Sequence, residues 1–187
     1  MRRLIFSMTL SLDGYVAGPG GDIGWSAPDE ELHRFHNRQN AEIGAQVCGR
    51  GLYETMLYWE DPAVAGPSMP QYAREFAAIW RALPKYVFSR TLDSVQGSWT
   101  LMAGDLREQV QRLKTQDGPP IGAGGANLAG QLMQLGLVDE YRLFITPILL
   151  GGGTRCFPDL QLRRELELVE TKTFSGAQTV YLRYATT

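Results

Sequence analysis

The sequence predicts an α/β sandwich of three layers, with a mixed, mostly parallel sheet flanked by helices and an antiparallel hairpin at its C-terminal edge. Three observations predict it. Stretches with strand periodicity alternate with stretches of helical spacing for most of the 187 residues, the order that builds parallel sheets. A glycine cluster (Gly122, Gly124, Gly125) joins a short apolar strand ending at Ile121 to a helix opening at Ala126, Asn127 and Leu128. Near the C-terminus, Leu166–Phe174 and Thr179–Tyr184 read as two strands around Ser175-Gly176-Ala177.

The elements follow in order. Leu4, Phe6, Met8, Leu10 and Leu12 alternate with Ile5, Ser7, Thr9 and Ser11, a strand pattern. Asp13-Gly14 is a turn pair, and Gly18-Pro19-Gly20-Gly21 reads as a mobile loop. Pro28-Asp29-Glu30-Glu31 opens a helix, since proline fits the first turn and acids complement the helix dipole. Leu32 and Phe35 continue its buried face. Ala45–Cys48 is a short strand running into Gly49-Arg50-Gly51 and a helical turn through Tyr53, Met56 and Leu57. Asp61–Pro70 is loop, and Gln71–Leu83 is a helix with Tyr72, Phe76, Ile79 and Leu83 at helical spacing. Strands at Tyr86–Ser89 and Trp99–Met102 precede a helix over Asp105–Lys114 that turns Leu106, Val110 and Leu113 inward. After Leu137-Val138-Asp139-Glu140 comes a strand from Tyr141 to Thr146, then a second glycine run, Gly151–Gly153. Without repeats or an interdomain linker, residues 1–187 are expected to form one domain.

A net charge of −2 with no basic tail and no acidic run argues against nucleic acid or an anionic membrane as partner. Cys48 and Cys156 stand far apart and outside any CxxC, as reduced thiols of a cytoplasmic protein do. No apolar run approaches the roughly 20 residues that span a bilayer. Met1-Arg2-Arg3 and the apolar residues after it superficially resemble a secretory signal. Ser7, Thr9 and Ser11 interrupt that stretch, and a strand is the better reading.

Three turns suit phosphate. Gly49-Arg50-Gly51 and Gly124-Gly125-Ala126-Asn127 each open a helix, where unpaired N–H groups meet the positive end of the dipole. Ser89-Arg90-Thr91 follows a strand, and arginine forks match phosphate oxygens. Each also has a plainer reading, as a solvated loop arginine or a capped turn. Together they suit a dinucleotide with one extra phosphate, which favours NADPH over NADH if Arg50 or Arg90 meets a ribose 2′-phosphate. The glycine cluster is not a Rossmann fingerprint, because the third glycine and the distal acid are missing. His33 and His36, three apart, have no HExxH or cysteine pair beside them, so they are expected at the surface and no metal is expected. Trp25, Tyr53, Tyr58 and Trp59 either line a cleft for a flat ring or pack inside.

The ordered set Leu12-Asp13-Gly14-Tyr15-Val16-Ala17-Gly18, Asp22-Ile23-Gly24-Trp25, Gly49-Arg50-x-x-Tyr53-Glu54, Val87-Phe88-Ser89-Arg90-Thr91-Leu92, Gly124-Gly125-Ala126-x-Leu128 and Pro147–Phe157 resembles the dihydrofolate reductase-like superfamily. The nearest branch is the reductase domain of the bacterial bifunctional riboflavin-synthesis deaminase/reductase. The resemblance implies an NADPH-binding homodimer that transfers hydride to a small heterocycle of pyrimidine or pteridine type. On matched positions it implies that Gly49, Arg50, Ser89 and Arg90 hold the adenosine-phosphate half, and that Gly124, Gly125, Ala126, Asn127 and Leu128 hold the pyrophosphate. Thr9, Val16 and Ala17 would lie near the nicotinamide, and Trp25, Asp29 and Glu54 near the substrate. Leu52 stands where the family often has threonine. For a proton donor the resemblance points to the acids at the start of the first helix, Glu30 or Glu31, with Asp13 as a further candidate. Helix capping and turn formation account for the same residues. The alternative function is a non-catalytic nucleotide- or ligand-binding homodimer on the same fold. The apolar stretch Leu143–Leu150 either pairs with its twin in such a dimer or lies inside the sheet.

Overall fold

A computed structural model describes residues 1–187 except 158 and 162, and leaves aside the side chain of residue 65. In chain order the strands are β1 (Leu4–Ser11), β2 (Tyr15–Ala17), β3 (Ala45–Gly49), β4 (Lys85–Phe88), β5 (Trp99–Met102), β6 (Ile121–Gly124), β7 (Glu140–Thr146), β8 (Thr154–Arg155), β9 (Leu166–Phe174) and β10 (Thr179–Thr186). The helices are α1 (Glu30–Ala41), α2 (Arg50–Met56), α3 (Gln71–Ala82), α4 (Leu106–Thr115) and α5 (Ala126–Gln134).

Eight strands form one sheet in the order β5-β4-β3-β6-β1-β7-β10-β9, while β2 and β8 pair separately. Strands from β5 to β7 run parallel, and β10 runs antiparallel to both β7 and β9. The mixed sheet and the C-terminal hairpin are as the sequence predicts. Central β1 buries Leu4, Ile5 and Phe6 in succession, as a strand covered on both faces does. Its alternation ends early: Leu12 lies beyond the strand and is 64% exposed. One face packs Phe6, Val47 and Ala123 under α4 and α5. The other face is covered at one end by α1, through Leu32 and Phe35 against Phe144 and Tyr181. At the other end Tyr53 of α2 and Trp80 of α3 meet Val87 and Trp99.

Two local readings need correction. The glycine cluster is not a loop after Ile121: the strand begins there, and Gly122 and Gly124 lie within it. Neighbours occupy the room their side chains would take. A Cβ on Gly122 would run into the Gln46 amide oxygen, and one on Gly124 into Leu52 Cδ2. In α3 the buried stripe is Ala73, Ala77 and Trp80, one residue along from the predicted face. Small alanines let this helix sit close to α1, whose Asn37 Nδ2–H donates to Tyr72 O at 2.8 Å. Gly18–Asp22 is a hydrogen-bonded turn, in which Gly18 N–H donates to Asp22 O at 2.8 Å. Of the two readings of the Leu143–Leu150 stretch, the internal one holds: β7 ends at Thr146 and pairs with β1 on one side and β10 on the other, so it has no free edge for a twin.

Buried charges sit in fixed company. The Lys85 ammonium donates to the carbonyls of Trp80 and Leu83 at 2.6 and 2.9 Å, fastening the end of α3. Lys114 meets Asp139 at 2.6 Å. Both cysteines are free and buried, and burial pushes each thiol up to about 12. Among the described residues no helix is long and apolar enough to cross a membrane.

Candidate functional site

The helices that follow β3 and β6 leave toward opposite faces of the sheet, α2 packing with Trp80 and α5 with Phe6. Adjacent parallel strands whose connections diverge leave a crevice at their carboxyl ends, where ligands bind in open α/β sheets. Here that crevice opens into a cavity of about 1270 Å³. A single small-molecule site takes roughly 300–1,000 Å³, so this one has room for two ligands.

All twelve residues proposed from sequence to hold a cofactor line this cavity. Thr9 stands on β1, and Val16 and Ala17 on β2. Gly49 and Arg50 form the joint between β3 and α2. Ser89 and Arg90 follow β4, where the Ser89 hydroxyl accepts the backbone N–H groups of Thr91 and Leu92 at 3.1 and 3.2 Å. Arg50 donates to Glu54 at 2.7 Å and to the Thr91 hydroxyl at 3.2 Å, which ties the second turn to the first. Both arginines are exposed at the cavity mouth.

Gly124, Gly125, Ala126, Asn127 and Leu128 carry the chain from β6 into α5. Gly125 sits at φ 83°, ψ 121°, and no side chain caps the helix. The first N–H groups of a helix lack internal partners, so this uncapped end faces the cavity ready for an anion. A Cβ on Gly49 would stand 3.4 Å from Leu128 Cβ, so the openings of α2 and α5 close on one niche. Leu52, read from sequence as a lost hydroxyl, is a wall of it: its side chain lies over Gly124 and Gly125. The opening of α4 also reaches the cavity, but Asp105 already caps it, accepting Glu108 N–H at 2.9 Å.

The residues proposed for proton donation and substrate contact are not brought into the cavity. Asp29 caps α1, accepting Leu32 N–H at 2.9 Å. Glu30 pairs with Arg34 at 2.9 Å, and Glu31 lies exposed, 4.0 Å from Lys172. Glu54 is held by Arg50, and Trp25 Nε1–H donates to Asp22 O at 3.0 Å. Asp13 accepts from the Ser11 hydroxyl at 2.6 Å and from Gly151 N–H at 2.7 Å. Those bonds hold its carboxyl down at about 2, so it latches the β1–β2 turn to the 148–151 segment and is a poor acid.

The histidines correct the sequence in the opposite direction. His33 and His36 are not on the outer surface: both face the cavity from α1. His33 contacts Asn37 through Nδ1 at 3.2 Å and leans on Tyr72, with ring centroids 4.8 Å apart. His36 packs on Phe144 at 4.2 Å. Burial, with a smaller push from His33, brings the His36 imidazole down to about 4, and burial lowers His33 as well. Of the aromatics, Trp59 lines the cavity with Phe76 and Trp80. Tyr53 is core, its hydroxyl accepting Gln96 N–H at 2.9 Å, and Tyr58 is 53% exposed. Among the described residues no group of three or more His, Cys, Asp or Glu side chains could hold a metal ion.

This architecture, with its crevice at the carboxyl edge of a mostly parallel sheet, is dihydrofolate reductase-like. Residues 2–180 match the family model of the RibD C-terminal domain, and the chain belongs to that family. An uncharacterized Bacillus subtilis (strain 168) protein, YyaP, is 32% identical over 96% of this chain and 94% of its own. Among solved structures, a Shewanella sp. PV-4 protein assigned to riboflavin biosynthesis superposes with a TM-score of 0.79 at 22% identity, covering 99% of each chain. Enterococcus faecalis dihydrofolate reductase, complexed with NADP(H) and RAB-propyl, gives 0.66 at 15% identity over 98% of this chain and 96% of that one. At those identities the two structures speak for the fold alone.

Proposed function

We propose that this chain is an NADPH-dependent reductase that transfers hydride to a small heterocyclic substrate of pyrimidine or pteridine type. One observation carries the reading: twelve residues chosen from sequence as cofactor contacts, scattered from Thr9 to Leu128, line a single cavity. The residues fit the group. The uncapped start of α5 suits a pyrophosphate, and Arg50 and Arg90 suit the phosphate that distinguishes NADPH from NADH. When bound, the cofactor supplies the hydride, and the protein's part is alignment and exclusion of water. Family resemblance adds a cytoplasmic homodimer with residues 1–187 as its domain.

The test is a titration with NADPH and NADH, followed by nicotinamide fluorescence and tryptophan quenching. The reading expects NADPH to bind at least tenfold more tightly. Equal affinity would remove the arginine assignment, and binding of neither would remove the reductase. Tight NADPH binding with no oxidation across pterins, pyrimidines, quinones and aldehydes would leave a binding protein on the same fold.

A further inference from the structure

The α1 half of the cavity carries chemistry that the cofactor does not use. His36 presents its imidazole there, and neither ring nitrogen has a protein partner among the described residues. A half-buried imidazole left unpartnered in a cavity is set for a ligand hydrogen bond. Trp59 and Phe76, ring centroids 4.7 Å apart, wall this half. Among the described residues, Arg142, which lines this half, is already matched. Arg142 meets Glu140 at 2.6 Å and Glu42 at 3.4 Å and also donates to Gln39, while Arg3 takes the other Glu140 oxygen at 2.7 Å. Two cations thus face two carboxylates, and freeing Arg142 for a ligand phosphate would leave buried Glu140 short of a partner, which is costly.

We propose that the α1 half of the cavity binds a flat, uncharged ring compound without a phosphate group, held by a hydrogen bond to His36 and walled by Trp59 and Phe76. This rests on the reductase reading for which half the cofactor takes. With its imidazole neutral across the physiological range, His36 offers one donor and one acceptor and no charge, which suits a ring carbonyl or ring N–H. A phosphate would find there no cation to spare.

Riboflavin and flavin mononucleotide make a probe pair that shares one ring system and differs by a phosphate. The chain has two histidines, both in the cavity, so imidazole carbon–proton NMR gives two signals that single substitutions assign. With the protein saturated in NADP⁺, riboflavin is expected to shift the His36 signal and to bind at least tenfold more tightly than flavin mononucleotide. His36→Phe, which keeps a ring against Phe144, and His36→Asn, which keeps a donor and an acceptor, separate packing from hydrogen bonding. The phenylalanine variant should lose about tenfold in riboflavin affinity, the asparagine variant less, and both should keep the NADP⁺ affinity of the parent. A preference for the phosphorylated probe, binding that leaves the His36 signal unmoved, or no binding of either probe up to its solubility limit would overturn the proposal. Failure of NADP⁺ to bind would instead strike the reductase reading, and the His36 signal would still report on the probes.

Discussion

Two adjacent glycines open the niche at α5 for different physical reasons, and one neighbour separates them. A Cβ at Gly124 points at the end of the Leu52 side chain and stands 3.1 Å from Gln46 Nε2. Gly124→Ala is therefore an overpacking change, worth about 1–3 kcal/mol. At Gly125 the backbone is at φ 83°, a conformation that costs a non-glycine residue about 1–3 kcal/mol. For a chain of this size each kcal/mol lowers Tm by about 2–4 °C, so either variant should melt about 2–12 °C below the parent. Leu52→Ala, truncating a half-buried side chain, should itself cost about 1–2 kcal/mol. Added to Gly124→Ala it removes the Leu52 atoms in the way and leaves only the end of the Gln46 side chain, so the pair should melt close to Leu52→Ala alone. Added to Gly125→Ala it changes nothing, because alanine keeps the Cβ that the new methyl group meets at 3.3 Å and the strain lies in the backbone. Those two losses should add to within about 0.5 kcal/mol. Differential scanning calorimetry of the five variants reads all of this. Rescue of Gly125→Ala by Leu52→Ala, or glycine variants that melt with the parent, would refute the packing described for the niche.

Further outcomes follow from the same geometry. Replacing Arg50 and Arg90 together by alanine should weaken NADPH by about 2–3 kcal/mol, or about 30–150-fold, after allowing for their exposure, while NADH barely changes; a fluorescence titration decides it. Asp13→Asn should lower Tm at neutral pH. The Asp13 carboxyl lies at about 2 in the folded chain against an ordinary 3.8, so its contribution is present above about pH 4 and fades as the pH falls toward 2. The gap between parent and variant should therefore close over that window in melts run against pH. Lys85→Met should destabilise by about 1–3 kcal/mol, since the carbonyls of Trp80 and Leu83 lose their buried donor. Urea unfolding would show the loss as a lower midpoint with an unchanged slope.

The three turns that line the cavity were legible in the sequence because their signals are local. A glycine or serine beside an arginine, or a glycine run before a helix, marks a phosphate turn within a few residues, and the fold carries all three turns to one edge. The acids at the start of α1 gave an equally local signal, but capping and pairing with Arg34 and Lys172 account for them. His33 and His36 were misread because sidedness is not local. Which face of α1 looks inward depends on how it sits over β7 and β10, and the aromatic cover on His33 comes from Tyr72 and Phe76, far along the chain. Gly122 and Gly124 read as loop because glycine punctuates loops far more often than it fills a central strand. The space they leave is taken by Gln46 and Leu52, a relation visible only once β3, α2 and β6 are side by side. One trace of the α1 half was present: Glu140 and Arg142 alternate with Tyr141 and Leu143 in a buried strand, a polar face on a central strand that calls for partners inside.

A crystal structure of the chain with NADP⁺ tests the central claim most directly. The account expects the pyrophosphate against the backbone N–H groups of Ala126, Asn127 and Leu128, the ribose phosphate between Arg50 and Arg90, and the nicotinamide beside Thr9 and Ala17. A dinucleotide lying elsewhere on the sheet edge, or bound with its phosphates in the α1 half beside His36, would contradict it.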